Sequence, residues 1–192
     1  MSLKIAELKE RHLEDAAGLF VNNYRSIKHR IPLLPERYED QGQIVSMLAE
    51  LTRANPAVAA FEGGRLAGYL VGFTLEDFQG LRTAYSPEWI AVASLDKSAQ
   101  IFQDMYSRLA LDWVADGCRQ HLVSLFAPDR EGIQGWVRMG FGMVAFDALR
   151  QAGPLGGVHG QIDTHQVCLV REDEAVELLV VFVGLQRRLS IC

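Results

Sequence analysis

The sequence predicts an α/β domain, a mixed sheet with helices packed on both faces. Three observations lead there. Apolar residues recur at helical spacing in several separate stretches, and at β spacing in the runs between them. One long helix stands between two β-type runs, Trp89–Ala93 and His121–Phe126, as in a parallel β-α-β unit.

Taken in order, Lys4 to Leu8 reads as a short strand. Leu13, Ala16, Ala17 and Phe20 then mark one face of a helix, with Glu14 and Asp15 suited to its first turn. Ile31-Pro32-Leu33-Leu34-Pro35 breaks it. A second helix carries Ile44, Met47, Leu48 and Leu51 and ends near Asn55-Pro56. Ala57–Phe61 and Leu66–Phe73 flank Glu62-Gly63-Gly64-Arg65, a hairpin signal. Trp89–Ala93 is a third β-type run.

The clearest helix spans Ser98 to Asp116, with Phe102, Met105, Tyr106, Leu109 and Trp113 on one face and Gly117 as its stop. His121–Phe126 reads as a mostly buried strand. A short helix with Ile133, Trp136 and Val137 ends at Gly140, and Phe141–Leu149 is another strand. The order is therefore β-α-α-β-β-β-α-β-α-β over residues 1–165, followed by a tail over 166–192. A glycine-rich link leads to a strand-like Gln166–Val170, and Glu172–Leu189 reads as an apolar helix ending in Arg187-Arg188, although Val180–Val183 also has β character.

Composition narrows the function. The 192 residues are 49% hydrophobic and 22% charged, as in ordinary globular chains, and the net charge of -5 argues against a nucleic-acid partner. The basic stretch Arg25–Arg37 is followed by Glu36, Glu39 and Asp40 and reads as a solvated face. Three cysteines form neither a disulfide framework nor a zinc pattern, and no metal site is expected. No apolar run approaches the roughly 20 residues of a membrane span, and the expected location is the reduced cytoplasm.

The chemistry-bearing pattern is Asp129 to Phe141, DREGIQGWVRMGF. It resembles the segment Asn-x-x-Ala-x-x-x-Tyr-x-x-x-Gly-Phe of the GNAT N-acetyltransferase superfamily, with Asp129 at the Asn, Gly132 at the Ala and Trp136 at the Tyr. The hairpin Ala60–Tyr69 is similar to that family's second and third strands, and Ile90-Ala91-Val92 to its fourth. The resemblance covers roughly residues 3 to 150. It implies a GNAT-like fold, acetyl-CoA as cofactor and a small amine as acceptor. The backbone of Ala91, Val92 and Ala93 would line the cofactor, with Lys97, Ser98, Gln100 and Phe102 around its phosphate end and Asp129 as a further cofactor-binding residue.

The departures are equally specific. The family's loop (Gln/Arg)-x-x-Gly-x-(Gly/Ala) opens the long helix, and its backbone N–H groups receive the pyrophosphate. Here the matching residues run Lys97-Ser98-Ala99-Gln100-Ile101-Phe102, so Gln100 and Phe102 add side chains where glycines belong. Weak acetyl-CoA binding is expected, with Phe102 as its main cause. Trp136 cannot serve as the acid that the family's tyrosine supplies, because an indole N–H does not ionise usefully. It is expected to be a packing residue. Glu88, four residues before Val92, is the candidate base.

His121 is expected at the surface or as a cap, Tyr106 in the core, and Cys118 as a buried thiol. His159 and His165 sit in the glycine-rich link without visible partners for a metal. The tail leaves two readings open. Gln166–Val170 is the last strand of the domain with a capping helix behind it, or 166–192 opens a second GNAT copy. A helix so apolar needs covering, by the domain, by a homodimer partner or by a further domain. The function expected is an acetyl-CoA-dependent N-acyltransferase type with weakened or lost catalysis. The alternatives are an active N-acetyltransferase of a small amine and a non-catalytic ligand-binding or oligomerisation module.

Overall fold

The computed structural model describes residues 3–149 and 177–186. The strand-like Gln166–Val170, the glycine-rich link, His159 and His165 lie outside these residues. Two sheets carry the fold. One has the order β1-β2-β3-β6 and the other β4-β5-β7-β9-β8. Their strands are β1 (Leu3–Glu7), β2 (Ala57–Glu62), β3 (Arg65–Val71), β4 (Phe73–Phe78), β5 (Leu81–Ser86), β6 (Ala91–Ala93), β7 (Gln120–Phe126), β8 (Gly142–Leu149) and β9 (Glu177–Gln186). Four α-helices accompany them: α1 (Leu13–Lys28), α2 (Gln41–Ala54), α3 (Ser98–Ala115) and α4 (Arg130–Arg138).

The helices cover both faces, as expected. In β3 and β6 the side chains alternate between two cores, which is what a strand's two-residue period produces. Tyr69, Val71 and Val92 pack with Phe20, Tyr24 and Leu48 of α1 and α2. Leu70, Ala91 and Ala93 pack with Phe102, Met105 and Leu109 of α3 and Trp136 of α4. Glycines allow the close approaches. A Cβ on Gly68 would stand 2.9 Å from the Val92 carbonyl oxygen, and one on Gly135 would stand 2.7 Å from Ala99 Cα, where α4 meets the first turn of α3.

Three expectations are corrected. The sequence reading passed over β4 and β5, a hairpin whose turn places Gln79 at φ 56° and Gly80 at φ 80°. Both central residues are left-handed, as a two-residue hairpin turn requires. The strands are short and charged, so their β character is weak to the eye. Joined end to end, β3-β4 and β5-β6 form one long hairpin that changes sheets at Gly72 and at Pro87–Ile90. Gly72 makes that bend fit, because a Cβ there would lie 2.7 Å from Trp113 Cε2.

The parallel partner is also different. The stretch Trp89–Ala93 was expected beside His121–Phe126, but it is β5 that pairs with β7, from Thr83↔Gln120 to Ser86↔Val123. The third correction concerns the tail. Glu177–Gln186 is a strand, not part of a helix, and lies antiparallel between β7 and β8. A strand paired along both edges explains an apolar run without a helical stripe. β9, on the far side of the expected boundary at residue 166, is thus hydrogen-bonded into the sheet that β7 belongs to.

Candidate functional site

Where β5 hands over to β6, the pairing with β7 stops. Beyond Ser86 and Val123 the two strands diverge, and a cleft opens between β6 and β7. Its walls include Asn23, Glu88, Ala91, Ala93, Phe126 and Asp129. Val71 donates to the Ile90 carbonyl and Ser94 to the Ala67 carbonyl. With the two-residue period of an antiparallel ladder, Val92 therefore faces β3. Ala91 and Ala93 turn away from β3 towards the cleft side, where the Ala91 N–H is already donated to the Pro87 carbonyl at 3.1 Å and the Ala93 carbonyl accepts from Asn23 at 2.8 Å.

α3 begins at the mouth of this cleft. Its first intrahelical bond runs from Ile101 N–H to Lys97 C=O at 3.1 Å. The N–H groups of Ser98, Ala99 and Gln100 precede it and stand at the positive end of the helix dipole.

The side chains expected around a cofactor phosphate are turned to partners within the chain. Lys97 Nζ lies 2.7 and 2.9 Å from the two carboxylate oxygens of Glu62. That contact raises the Lys97 pKa and lowers that of Glu62, both chiefly through the hydrogen bond between them. Ser98 Oγ donates to Asp129 Oδ1 at 2.8 Å, and Asp129 also accepts from Gly132 N–H at 2.8 Å as the N-cap of α4. Asp129 is buried, and burial raises its pKa above the usual carboxylate value against the lowering effect of those two bonds. Gln100 Nε2 donates along the helix to Asp104 Oδ1 at 2.9 Å.

Phe102 corrects the expectation placed on it. It is 1% exposed and packs on Trp136 with ring centroids 5.5 Å apart. Its ring lies in the core beside Met105 and Leu109, in register with the apolar face of α3, and so cannot be what obstructs a phosphate. Trp136 is fully buried against Phe102, Tyr106 and Phe141. Its Nε1 has no hydrogen-bond partner among the described residues, so its role there is packing. Tyr106 is a core residue as well.

His121 is buried rather than at the surface. Its Nδ1 stands 2.8 Å from the Tyr106 hydroxyl. Cys118 is buried near Thr74. Within the basic stretch, Arg25 and Lys28 at the end of α1 both pair with Glu39.

One cleft residue escaped the sequence reading. Asn23 Nδ2 donates to the Ala93 carbonyl at 2.8 Å, tying α1 to the open edge of β6. A signal existed. Asn23 sits three residues after Phe20 and four before Ile27, on the buried face of α1, and a polar residue there needs a partner. Glu88 lies in the bend between β5 and β6 and lines the cleft. Nearby, Tyr24 donates its hydroxyl to the Pro35 carbonyl at 2.7 Å, and burial first, then Tyr38, drives its pKa up.

Solved structures share this architecture. An N-acetyltransferase from Staphylococcus aureus Mu50 superposes with a TM-score of 0.63 at 14% identity, covering 97% of this chain and 99% of that one. An acetyltransferase from Salmonella typhimurium, solved with its cofactor acetyl-CoA, gives 0.62 at 14% identity over 97% and 94%. The ribosomal-protein-alanine N-acetyltransferase from Brucella melitensis gives 0.61 at 16% identity over 96% and 99%.

The chain has the GNAT fold.

The likeness is one of fold. No family model matches the sequence, and no curated protein does. Among the described residues no helix is long and apolar enough to cross a membrane, and none form a cluster that could hold a metal ion. The GNAT cleft fits acetyl-CoA in part. On the edge of β6 the Ala91 N–H and the Ala93 C=O already have partners within the chain, so a cofactor amide would have to pair with the other groups of these two residues or displace Asn23 or Pro87. At the phosphate end Lys97 is paired with Glu62, Ser98 is bonded to Asp129, and a carboxyl stands where the family resemblance has an amide. The cleft volume is about 20 Å³, room for roughly one water molecule.

Proposed function

We propose that this is a GNAT-fold protein of the acetyl-CoA-dependent N-acyltransferase type in which cofactor binding is weak and acetyl transfer is weakened or lost. The observation that carries the reading is the internal engagement of Lys97, Ser98 and Asp129. An anionic pyrophosphate must break the Lys97–Glu62 pair and approach a carboxyl group, while gaining only the N–H groups of one helix end. The loss of an acid at position 136 agrees with this, since a buried indole cannot protonate a departing thiolate.

Calorimetric titration of the whole chain with acetyl-CoA tests the reading, beside an acetyl-transfer assay on a panel of small amines. Weak binding and little turnover are expected. Gln100→Gly, which lets a phosphate approach the backbone, should tighten binding. Micromolar affinity in the wild type together with turnover would overturn the proposal.

A second reading, an active N-acetyltransferase of a small amine, rests on two observations. Phe102 leaves the start of α3 clear, and Glu88 stands in the cleft within reach of the β6 edge as a base.

A further inference from the structure

A second cavity shares a wall with the cleft. It has a volume of about 310 Å³ and lies between α1, the loop that follows it, and the bend between β5 and β6. Its walls include Tyr24, Leu34, Tyr38, Trp89 and Phe126, and its carboxylate is Glu88. Phe20, Tyr24, Glu88 and Phe126 border both spaces.

We propose that this cavity binds a primary amine carrying an aromatic ring, with the ammonium group on Glu88 and the ring among Tyr38, Trp89 and Phe126.

Size comes first. An apolar cavity of about 150 Å³ takes up benzene, so this one has space for a ring and a short chain. The walls are aromatic and already ordered. Tyr24 meets Tyr38 edge-on at 5.7 Å and Phe126 edge-on at 5.8 Å, and its hydroxyl is fixed by the Pro35 carbonyl. A flat guest can stack or meet such rings edge-on at little ordering cost.

Charge selects the polar end. Glu88, the one carboxylate among the described residues of the lining, favours a cation. Arg37, over the Tyr38 ring at 4.9 Å, also lines the cavity. It would repel a second cation and receive a carboxylate if the guest carried one. An amine held at Glu88 sits on the border with the β6–β7 cleft. The inference concerns binding alone and does not depend on acetyl-CoA, so the titrations omit the cofactor.

The test uses the whole chain, 2-phenylethylamine and its uncharged counterpart 2-phenylethanol, each followed by calorimetry. The amine should bind about tenfold more tightly than the alcohol, the value of one charge-assisted contact. Glu88→Gln should remove that advantage while leaving the alcohol unchanged. Leu34→Trp, which fills the cavity, should abolish both, with circular dichroism reporting that the variant is folded. Phenylalanine, with a carboxylate as well, measures whether Arg37 contributes. Equal affinity of the wild type for amine and alcohol, or no binding of either, would sink the proposal even if every variant failed to fold. Because acetyl-CoA is absent, such a failure is separable from failure of the transferase reading.

Discussion

Ser98 Oγ and Asp129 Oδ1 stand 2.8 Å apart, both buried, and this bond joins the first residue of α3 to the N-cap of α4. The same carboxylate oxygen accepts the Gly132 N–H. A position that the family resemblance assigns to the cofactor is here part of the frame that fixes two helix starts.

Asp129→Ala should therefore cost about 1–3 kcal/mol, read from denaturant unfolding, since it removes a cap and leaves Ser98 buried without its acceptor. Asp129→Asn keeps a capping oxygen without the charge. Because burial raises the folded-state pKa above its unfolded value of 3.8, the folded form holds its proton to higher pH. Stability from this group is thus present in acid and lost as pH rises through the raised pKa. Thermal midpoints should show the Asn variant at or above the wild type at pH 7, with the gap closing towards acid. A gap that widens on acidification would contradict the assignment.

Trp136→Ala should destabilise the protein by about 3–5 kcal/mol, because the indole fills the space between Phe102, Tyr106 and Phe141 and nothing polar compensates. Equilibrium unfolding measures it directly. An unchanged midpoint would show that the side chain is not core.

At the bend between β3 and β4, Gly72→Ala places a methyl group against the Trp113 indole. A loss of about 1–3 kcal/mol is expected from the overpacking. The combination with Trp113→Leu should lose less than the sum of the two single changes, and a double-mutant cycle reads that coupling. Strict additivity would mean the two residues do not meet.

Ending the chain at residue 172 removes β9 and leaves the facing edges of β7 and β8 without partners. The shortened protein should aggregate or lose its cooperative melt, as light scattering and circular dichroism would record. A soluble, monodisperse truncation that melts as the full chain does would show that β9 is dispensable.

The bend at Gly72, the Trp136 core and the frame at Ser98 were not equally visible beforehand. Periodicity alone revealed α1, α2 and α3 and their buried faces, because a helix repeats its apolar stripe over many turns and one misread residue does not erase it. The glycine pair at 63–64 disclosed the β2–β3 hairpin, and DREGIQGWVRMGF disclosed both a helix and the fold it belongs to. Packing of Trp136 followed from its neighbours Ile133 and Val137 and its place before Gly140-Phe141.

Tertiary structure decided the rest. A strand's partners are not written in it, so β4 and β5, with six residues of signal each, went unread, and the ten residues of β9, most of them apolar, were read first as a helix despite their β character. Which strand pairs with β7 depends on where a hairpin bends, and Gly72 bends it only because Trp113 arrives from α3 to fill the space. The direction of a side chain on a known helix is likewise a matter of neighbours. Phe102 turns inward because Trp136 is there to receive it, Lys97 turns to Glu62, and Asn23 reaches Ala93 across 70 residues of sequence. The fold class was legible because it rests on local repetition. The state of the site was not, because it rests on contacts between segments that only the folded chain brings within hydrogen-bonding distance.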